Sequence, residues 1–305
     1  MTDSSFNTGL TAWQRSSNHN RLIEKQGEQL HKGKSAGSVE LTYFGGSAFR
    51  ITTPSGLTLM LDPWRNHPSR KWDWYFGDFP DTAVDIGIST HAHFDHDALH
   101  RLDASVLLDR LIGRYEFADC VVEGIADKHA TDSSAALYDF RKIILEFDGV
   151  DITPPNNPRS WDNCLVIVET AGLRILHWGD NRHDPSQVVW DSLDKIDIIL
   201  LPIDNSNHVL SFESIDEIIE KVKPAVVVPH HYYIWDVVQR QSTLQPATDW
   251  LANHQQRLTK TNSASYHLDA ASLKSDREKR GTQDWQVLYF GDHVGFDTAA
   301  WRQQG

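Results

Sequence analysis

The chain has 305 residues, of which 40% are hydrophobic, so it is long enough for one large domain or two small ones with a sizeable core. Its formal net charge of −13 argues against binding to nucleic-acid phosphates, because proteins that bind them present a basic face. The longest apolar runs, such as residues 196–201, are far too short to span a bilayer, and residues 1–34 lack the apolar region of a signal peptide. We therefore expect a cytoplasmic protein with no integral membrane segment.

The N-terminal region differs in composition from the region that follows it. Residues 1–37 are rich in Ser, Asn, Gln and Gly, which predicts a loose polar arm with a short helix over 21–30. Residues 38–305 alternate between apolar runs and turn residues, which predicts a folded region with many short strands. Two stretches break this pattern and are predicted as inserts, a Trp-rich one at 64–81 and another near 132–158.

Apolar runs in the folded region predict short strands, several of them joined by glycine-containing turns. Periodic spacing predicts helices, most clearly over 211–222, where acids separate the apolar residues. Cys120 and Cys164 lie in strand-like runs, so we expect buried free thiols. In chain order, the predicted strands cover residues 38–44, 48–53, 57–61, 84–89, 118–125, 163–169, 173–178, 196–201, 225–229 and 285–290, and the predicted helices cover 97–102, 106–111, 211–222 and 245–258.

The Trp-rich insert combines aromatic rings with positive charge. Between Trp64 and Phe76 it carries three of the eleven tryptophans, together with Arg65, Arg70 and Lys71. Such a segment is suited to a lid that offers stacking surface and charge to a small anionic or aromatic substrate. The same rings are equally suited to capping the hydrophobic core, since large aromatic side chains dominate packing. Both interpretations stay open at the level of the sequence.

A cluster of histidines and carboxylates follows one of the predicted strands. The stretch Thr90–Asp97 reads Thr-His-Ala-His-Phe-Asp-His-Asp. Histidine and aspartate are the side chains that bind zinc, manganese or iron in hydrolytic sites. His91 and His93 are two residues apart, so in an extended segment both imidazoles point the same way and can meet one ion. Asp95 and His96 follow at a turn and can point at a second ion beside the first. The alternative, a polar loop with surface histidines, is disfavoured by this packing at a strand end.

Other strand ends also carry residues that can bind metal. His129, Asp180 and the pair His230–His231 each follow an apolar run. Any one of these residues would be uninformative alone, because isolated histidines and aspartates are common in surface and core positions. Binding sites gather on the loops at one edge of a strand scaffold, so we expect these residues to come together with the histidine motif.

These motifs resemble those of the metallo-β-lactamase superfamily, in particular the branch similar to ascorbate-6-phosphate lactonase. The family signature HxHxDH is found at His91–His96. The family's opening, a strand, a glycine-rich turn and a strand ending in Asp-Pro, is matched by Tyr43–Ser47 and Leu61–Pro63. The strand of the third histidine resembles Val121–His129, and the block from Asn to His-x-Gly-Asp resembles Asn163–Asp180. The Pro-x-His-Tyr motif resembles Pro229–Tyr232. The resemblance implies an α/β fold, a four-layer αββα sandwich of two mixed β-sheets flanked by helices. It further implies that residues 38–305 form a single domain of this kind.

The resemblance implies a site with two divalent transition-metal ions, with zinc as the expected metal and manganese or iron as alternatives. His231 fits the Pro-x-His-Tyr spacing, and His230 is the second choice. His177 is expected to orient a ligand or to pack beside the site. One ion would be held by His91, His93 and His129, and the other by Asp95, His96 and His231, with Asp180 bridging the two.

The resemblance further implies a hydrolase that acts through a hydroxide bridging the two ions, since bound cations lower the pKa of water. The bond attacked would be a lactone, ester, amide or phosphodiester bond of a small molecule. We expect Asp95 to orient the hydroxide and relay its proton. Tyr232 is the candidate hydrogen-bond donor to the oxyanion, and His208 is the candidate proton donor. The predicted substrate-binding residues are Trp64, Arg65, Trp72 and Tyr233.

Other activities stay open on the same scaffold. An oxidoreductase that uses oxygen on thiols would need a single iron ion in place of two ions. A lipid phosphodiesterase would need an apolar patch facing a membrane, for which only residues 72–76 give a hint. A binding protein without catalysis is disfavoured, because every ligand position is filled. Formation of a homo-oligomer is left open.

Overall fold

The structure is a computed structural model, and it describes residues 21–32, 36–69, 73–129, 162–205, 209–239, 244–280 and 285–303. Within these ranges the strands form two mixed β-sheets, one of six strands and one of eight, accompanied by helices. The predicted α/β fold with two mixed sheets is thereby confirmed. The insert predicted near 132–158, Trp72 and His208 lie outside the described residues.

The six-stranded sheet starts with the antiparallel meander that the alternating apolar pattern predicts. Its strands are β1 (Val39–Tyr43), β2 (Phe49–Thr52), β3 (Thr58–Leu61), β4 (Thr82–Ser89), β5 (Leu102–Asp109) and β13 (Ser265–Leu268). Strands β1, β2 and β3 pair antiparallel, whereas β3, β4 and β5 pair parallel. Strand β4 therefore has strands on both sides, and it is buried from Val84 to its end at Ser89, as interior parallel strands of a covered sheet are.

The eight-stranded sheet joins an antiparallel half to a parallel half. Its strands are β6 (Gly113–Phe117), β7 (Cys120–Asp127), β8 (Asn163–Thr170), β9 (Leu173–His177), β10 (Ile198–Pro202), β11 (Val226–His230), β12 (Leu258–Lys260) and β14 (Gln286–Tyr289). Strands β6 to β9 pair antiparallel, and β9, β10, β11, β14 and β12 pair parallel. The fully buried β10 and β11 read as continuous apolar runs, as central parallel strands do.

The described helices are α1 (Arg21–Lys32), α2 (Gln187–Ser192), α3 (Phe212–Val222), α4 (Thr248–Asn253), α5 (Ala270–Arg280) and α6 (Thr298–Arg302). Helix α3 begins where the side chain of Ser211 accepts a hydrogen bond from the backbone N–H of Ser214 at 3.2 Å. It ends at Lys223, which takes the left-handed conformation. None of the described helices is long and apolar enough to cross a membrane.

The helix predicted over 106–111 is wrong, and the helix predicted over 97–102 is present only as a short 3-10 turn. Residues Leu102–Asp109 form strand β5, and a short 3-10 turn covers Leu99–Arg101. Strand β5 pairs with β4 along nearly its whole length, and this ladder decides the conformation. An apolar run of three residues fits a helix and a strand equally well, so periodicity alone could not separate the two.

The C-terminal region is also more finely divided than predicted. The helix expected over 245–258 covers only Thr248–Asn253, and it is followed by a 3-10 turn and strand β12. Helix α5 was not predicted, because none of its residues is buried and it therefore shows no apolar stripe. Strand β13 has four residues and was missed for lack of length.

Strand register places the ends of the strands that carry candidate ligands at one edge of the fold. Asp127 at the end of β7 lies opposite Asn163, which begins β8. Residue His177 at the end of β9 is in register with Leu200 of β10. Across the two sheets, the backbone N–H of Cys164 donates to the carbonyl oxygen of Thr90 at 2.9 Å. Pro202 at the end of β10 is in register with His230 at the end of β11, so the loops after β4, β7, β9 and β11 lie at the same edge.

Candidate metal centre

Among the described residues, nitrogen and oxygen atoms that could hold a metal ion converge from four loops into two groups that share Asp180. In each group, one nitrogen or carboxylate oxygen of every residue lies within 4.8 Å of the corresponding atoms of all the others. These side chains are buried, except that of His93, which is half-buried. The first group is His91, His93, His129 and Asp180, and the second is Asp95, His96, Asp180 and His231.

The loop after β4 carries four of these side chains in a compact turn. The hydroxyl of Ser89 donates to the carbonyl oxygen of His91 at 2.9 Å. The backbone N–H of His96 donates to the carbonyl oxygen of His93 at 3.0 Å. Because these bonds close the loop on itself, its histidines stand next to each other, with the rings of His91 and His96 4.2 Å apart between centroids.

His129 follows β7 and Asp180 follows β9, and these two strands lie on either side of β8. The backbone N–H of His129 donates to the carboxylate of Asp162 at 3.0 Å. Gly179, which precedes Asp180, has a φ of +55°, and a β-carbon at this position would lie 2.7 Å from the hydroxyl oxygen of Thr90. Only glycine fits such a close approach in this conformation, and the approach brings Asp180 against the histidine motif.

His231 completes the second group, and His230 lies outside both groups. His231 has a φ of +57°, unusual for a residue with a side chain, and its backbone N–H donates to the carbonyl oxygen of Gly46 at 2.8 Å. The ring of His230 packs edge-on against Phe49, with 5.8 Å between ring centroids. The turn at His231 is therefore what aims one of two adjacent histidines at Asp180 and leaves the other in the core.

The carboxylate of Asp180 lies among four imidazole nitrogens. Its oxygens are 3.3 Å from Nε2 of His96, 3.7 Å from Nε2 of His129, 3.9 Å from Nε2 of His231 and 4.0 Å from Nε2 of His91. A tetrahedral ion with ligands at about 2.0–2.2 Å separates neighbouring ligand atoms by about 3.3–3.6 Å. The observed separations are close to that value, so the arrangement fits cations placed between Asp180 and the histidines.

Asp62 holds the far side of one of these histidines. Its Oδ2 atom lies 2.8 Å from Nδ1 of His96 and 2.9 Å from Nε2 of His177. The backbone N–H and the hydroxyl of Thr90 each donate to the same carboxylate at 2.8 Å. Burial disfavours the charge on Asp62, but His177 and His96 outweigh it and hold the pKa of Asp62 below its ordinary value. A charged Asp62 orients His96 so that Nε2 faces Asp180.

Asp204 contacts His231 in the same way as Asp62 contacts His96, through the ring nitrogen that faces away from Asp180. Its carboxylate lies 3.3 Å from Nδ1 of His231, while Nε2 of the same ring lies 3.3 Å from the carboxylate of Asp95. Burial opposes protonation of His231, but Asp180 and Asp204 outweigh it and raise the pKa of this ring to about 10. A cation and a proton compete for such a ring, because only the neutral form binds a metal ion.

The other residues predicted for the site have varied surroundings. Trp64 is fully buried and stacks on Tyr75, with 4.1 Å between ring centroids, so its ring packs in the core. Arg65 forms a two-point ion pair with Asp97 at 2.7 Å and 2.9 Å. Of the two interpretations of the insert, the core-capping one describes Trp64. The predicted substrate contacts of Trp64, Arg65 and Trp72 stay predictions.

The two tyrosines after His231 are also largely enclosed. The hydroxyl of Tyr232 donates to the carbonyl oxygen of Gly291 at 2.7 Å, so its hydrogen is engaged within the protein. Tyr233 is 9% exposed and packs against the exposed ring of Trp235. The catalytic role of Tyr232 and the substrate contact of Tyr233 stay predictions, as does the role of His208.

Sequence reasoning missed several residues that surround the metal-binding groups. Asp62 and Asp204 each follow a buried strand, which is the signal that could have singled them out. A third buried aspartate, Asp127, ends β7 and binds the side chains of Asn181 and Arg182 at 2.8 Å and 2.9 Å. Their pairing partners are distant in the sequence, so no local pattern identifies them as partners.

Comparison with known proteins agrees with this architecture. A family model described as a beta-lactamase superfamily domain matches residues 40–231. A UPF0173 metal-dependent hydrolase of Thermodesulfovibrio yellowstonii is 33% identical over 216 residues, which cover 65% of this chain and 80% of that protein. A UPF0173 metal-dependent hydrolase of Aeropyrum pernix is 26% identical over 214 residues, covering 66% of this chain and 85% of that protein.

A solved structure shows the same fold at lower sequence identity. It is that of a protein from Thermotoga maritima assigned to the Zn-dependent hydrolases of the metallo-beta-lactamase superfamily. It superposes with a TM-score of 0.55 and 17% identity, covering 82% of this chain and 97% of that one. At this identity the similarity concerns the fold alone.

Because the family model matches more than half of the chain, the chain belongs to the metallo-β-lactamase superfamily. The resemblance inferred from the motifs is thereby confirmed at the level of the superfamily. Within that superfamily the chain is an enzyme, a metal-dependent hydrolase, as are the relatives that it matches over most of their length.

Proposed function

We propose that this hydrolase uses two divalent transition-metal ions to cleave a lactone, ester, amide or phosphodiester bond of a small molecule. One observation carries the proposal: Asp180 belongs to both groups of metal-binding atoms, with four histidine nitrogens within 4.0 Å of its carboxylate. A carboxylate shared in this way suits two neighbouring ions. The ions, when bound, supply a hydroxide at neutral pH and polarise the oxygen of the bond that is attacked.

The ligand assignment follows the two groups. His91, His93 and His129 would bind one ion and Asp95, His96 and His231 the other, with Asp180 between them. We propose zinc, because histidine nitrogens with one or two carboxylates are a donor set that zinc favours. Manganese and iron ions bind to the same types of ligand and are therefore the alternatives to zinc, which metal analysis distinguishes.

The residues of the chain itself have three tasks in this proposal. Asp95 lies 3.3 Å from His231 and 3.6 Å from His96 through one carboxylate oxygen, so its other oxygen is available to hold the proton of the attacking water. Asp62 and Asp204 keep the ligand rings oriented. The buried walls of the site keep bulk water away from the reacting groups.

The experiment combines metal analysis with chelation. Purified full-length protein is analysed for zinc, manganese and iron, and assayed with p-nitrophenyl acetate, bis(p-nitrophenyl) phosphate and γ-butyrolactone. We expect about two ions per chain, hydrolysis of at least one of these probes, loss of that hydrolysis on chelation and recovery when metal is restored. Asp180→Asn should lose metal and activity together, whereas Asp276→Asn, at an exposed position of α5, should keep both.

Two results would overturn the proposal. Full hydrolytic activity in metal-free protein would remove the ions from the reaction. One iron per chain with oxygen uptake in the presence of a thiol would support the single-iron oxidoreductase instead. The lactonase-like branch and the cytoplasmic location stay predictions from the sequence.

A further inference from the structure

The hydroxyl of Tyr75 is buried and makes no hydrogen bond to any described residue. Tyr75 is 1% exposed, and its oxygen atom is fully enclosed. Other buried tyrosines of the chain behave differently: Tyr43 donates to the carbonyl oxygen of Gly46 at 3.0 Å, and Tyr232 donates to Gly291 at 2.7 Å. Buried polar groups in proteins almost always have a partner, so this exception calls for a functional explanation.

The position of this hydroxyl relates it to the metal-binding groups. A β-carbon on Gly46 would lie 3.0 Å from the hydroxyl oxygen of Tyr75, and the carbonyl oxygen of Gly46 accepts the backbone N–H of His231. Burial raises the pKa of Tyr75 well above 10, and the carboxylates of Asp95 and Asp180 raise it further. The hydroxyl therefore lies next to Gly46, the residue whose carbonyl oxygen holds the backbone of His231.

The backbone and ring of Tyr75 are held rigidly. Its backbone N–H donates to the side-chain oxygen of Asn66 at 2.9 Å, and the side-chain amide of Asn66 donates back to the carbonyl oxygen of Tyr75 at 3.0 Å. The ring stacks on Trp64 at an interplanar angle of 17°. Next to it, the ring of Trp74 packs edge-on against His231, with 6.3 Å between centroids. A donor held in this way needs no reorganisation when it meets a reacting group.

We propose that the Tyr75 hydroxyl is a further catalytic group, which donates a hydrogen bond to the carbonyl or phosphoryl oxygen of the substrate as negative charge develops there. The inference rests on the proposed hydrolysis and assigns one of its roles. The phenol stays protonated near neutral pH, because burial and the neighbouring carboxylates both disfavour the phenolate. Tyr75 thus serves as a neutral donor, and it lies outside both groups of metal-binding residues.

The test uses Tyr75→Phe in the full-length, metal-loaded enzyme. This substitution removes one oxygen atom and keeps the ring that stacks on Trp64. On whichever of the p-nitrophenyl probes the wild type hydrolyses, we expect kcat to fall about 100-fold, the effect of losing one oxyanion donor. The KM, the metal content and the melting temperature should change little, because the hydroxyl has no partner among the described residues in the ground state.

Tyr43→Phe is the matched control. It removes a second buried hydroxyl next to Gly46, but this hydroxyl already donates to a protein carbonyl. We expect a lower melting temperature and a kcat within about twofold of the wild type, since one internal hydrogen bond is lost and no substrate contact is.

Several outcomes would overturn the inference. An unchanged kcat in Tyr75→Phe would do so, and so would loss of metal, which would make the residue a ligand or a structural support. If kcat fell equally in Tyr43→Phe, the loss would come from disturbance of the turn at Gly46 and not from a missing hydrogen bond to the substrate. Failure of the proposed function is recognised separately, because it appears in the wild type as hydrolysis that survives chelation.

Discussion

Asp62 lies 2.8 Å from Nδ1 of His96, and this contact leaves Nε2 of the same ring facing Asp180 at 3.3 Å. One carboxylate, at the end of β3, therefore decides which nitrogen of a histidine on the next loop is presented to a cation. Both residues are completely buried, so the contact is not weakened by solvent. Replacement of Asp62 tests how much the candidate centre depends on this support.

Asp62→Asn should weaken metal binding by about 10- to 100-fold without removing any proposed ligand. The amide cannot accept hydrogen bonds from His96, His177 and Thr90 as the carboxylate does. The measurement is competition against a chelator of known affinity, with Asp276→Asn as the control. Unchanged affinity in Asp62→Asn would show that other contacts suffice to orient His96.

Asp204→Asn should affect one ion more than the other. Asp204 contacts Nδ1 of His231, which belongs only to the group with Asp95 and His96. We expect the metal content to fall from about two ions to about one per chain after dialysis, since loss of an outer partner weakens the ligand that it orients. Equal loss of both ions would argue that the two sites fill and empty together.

Gly179→Ala should damage both stability and metal binding. Gly179 has a φ of +55°, and the new methyl group would lie 2.7 Å from the hydroxyl oxygen of Thr90. We expect the free energy of unfolding to fall by about 1–3 kcal/mol and the bound metal to decrease, because Asp180 follows directly. Gly27→Ala is the control: this helical glycine has open space around it, and the change should raise stability by about 0.5–1 kcal/mol. Chemical unfolding and metal analysis measure the two effects.

Cys120 and Cys164 should not react with a thiol reagent in the native protein at pH 8. Both are free and buried, as predicted from the sequence, and burial raises the pKa of Cys120 to about 12. A raised pKa means that the thiol stays protonated at pH 8, so the reactive thiolate is scarce. Titration with a chromogenic disulfide should detect no thiol in the native state and two after unfolding. Rapid reaction of the folded protein would contradict the packing described for β7 and β8.

The free energy of unfolding should depend on pH through the interaction between His254 and Asp216. Burial opposes protonation of His254, but the Asp216 carboxylate and the carbonyl oxygen of Trp250 outweigh it and raise the pKa of His254. Because the pKa of the folded state is the higher one, the stabilisation is complete below about pH 6.5 and is lost as the pH rises through the folded value.

Asp216→Asn tests this pair. We expect the variant to be less stable than the wild type at pH 5.5 by less than about 1 kcal/mol, because Asp216 is half exposed, and the difference should shrink by pH 8.5. Urea unfolding at both values measures it, with Glu220→Gln, at an exposed position of the same helix, as the control. A difference that does not vary with pH would exclude His254 as its source.

Much of the fold could be predicted because its signals are local. The meander of β1 to β3 follows from alternating apolar residues, and β10 and β11 follow from continuous apolar runs. Errors arose where the deciding interaction is distant in the sequence. Residues 102–109 form a strand because they pair with β4 through backbone hydrogen bonds. Helix α5 was missed for a different reason, since it has no apolar face.

By itself, the sequence determined which residue types stand at the strand ends, and the superfamily that those motifs indicate. The tertiary structure decided which of these side chains meet. His230 and His231 are adjacent in the chain, yet only His231 faces Asp180, because its backbone turns into the left-handed region beside Gly46. The contacts of Asp62 and the enclosed hydroxyl of Tyr75 likewise depend on pairings between distant segments. Such pairings depend on the register and packing of the two sheets, which no local pattern of residues encodes.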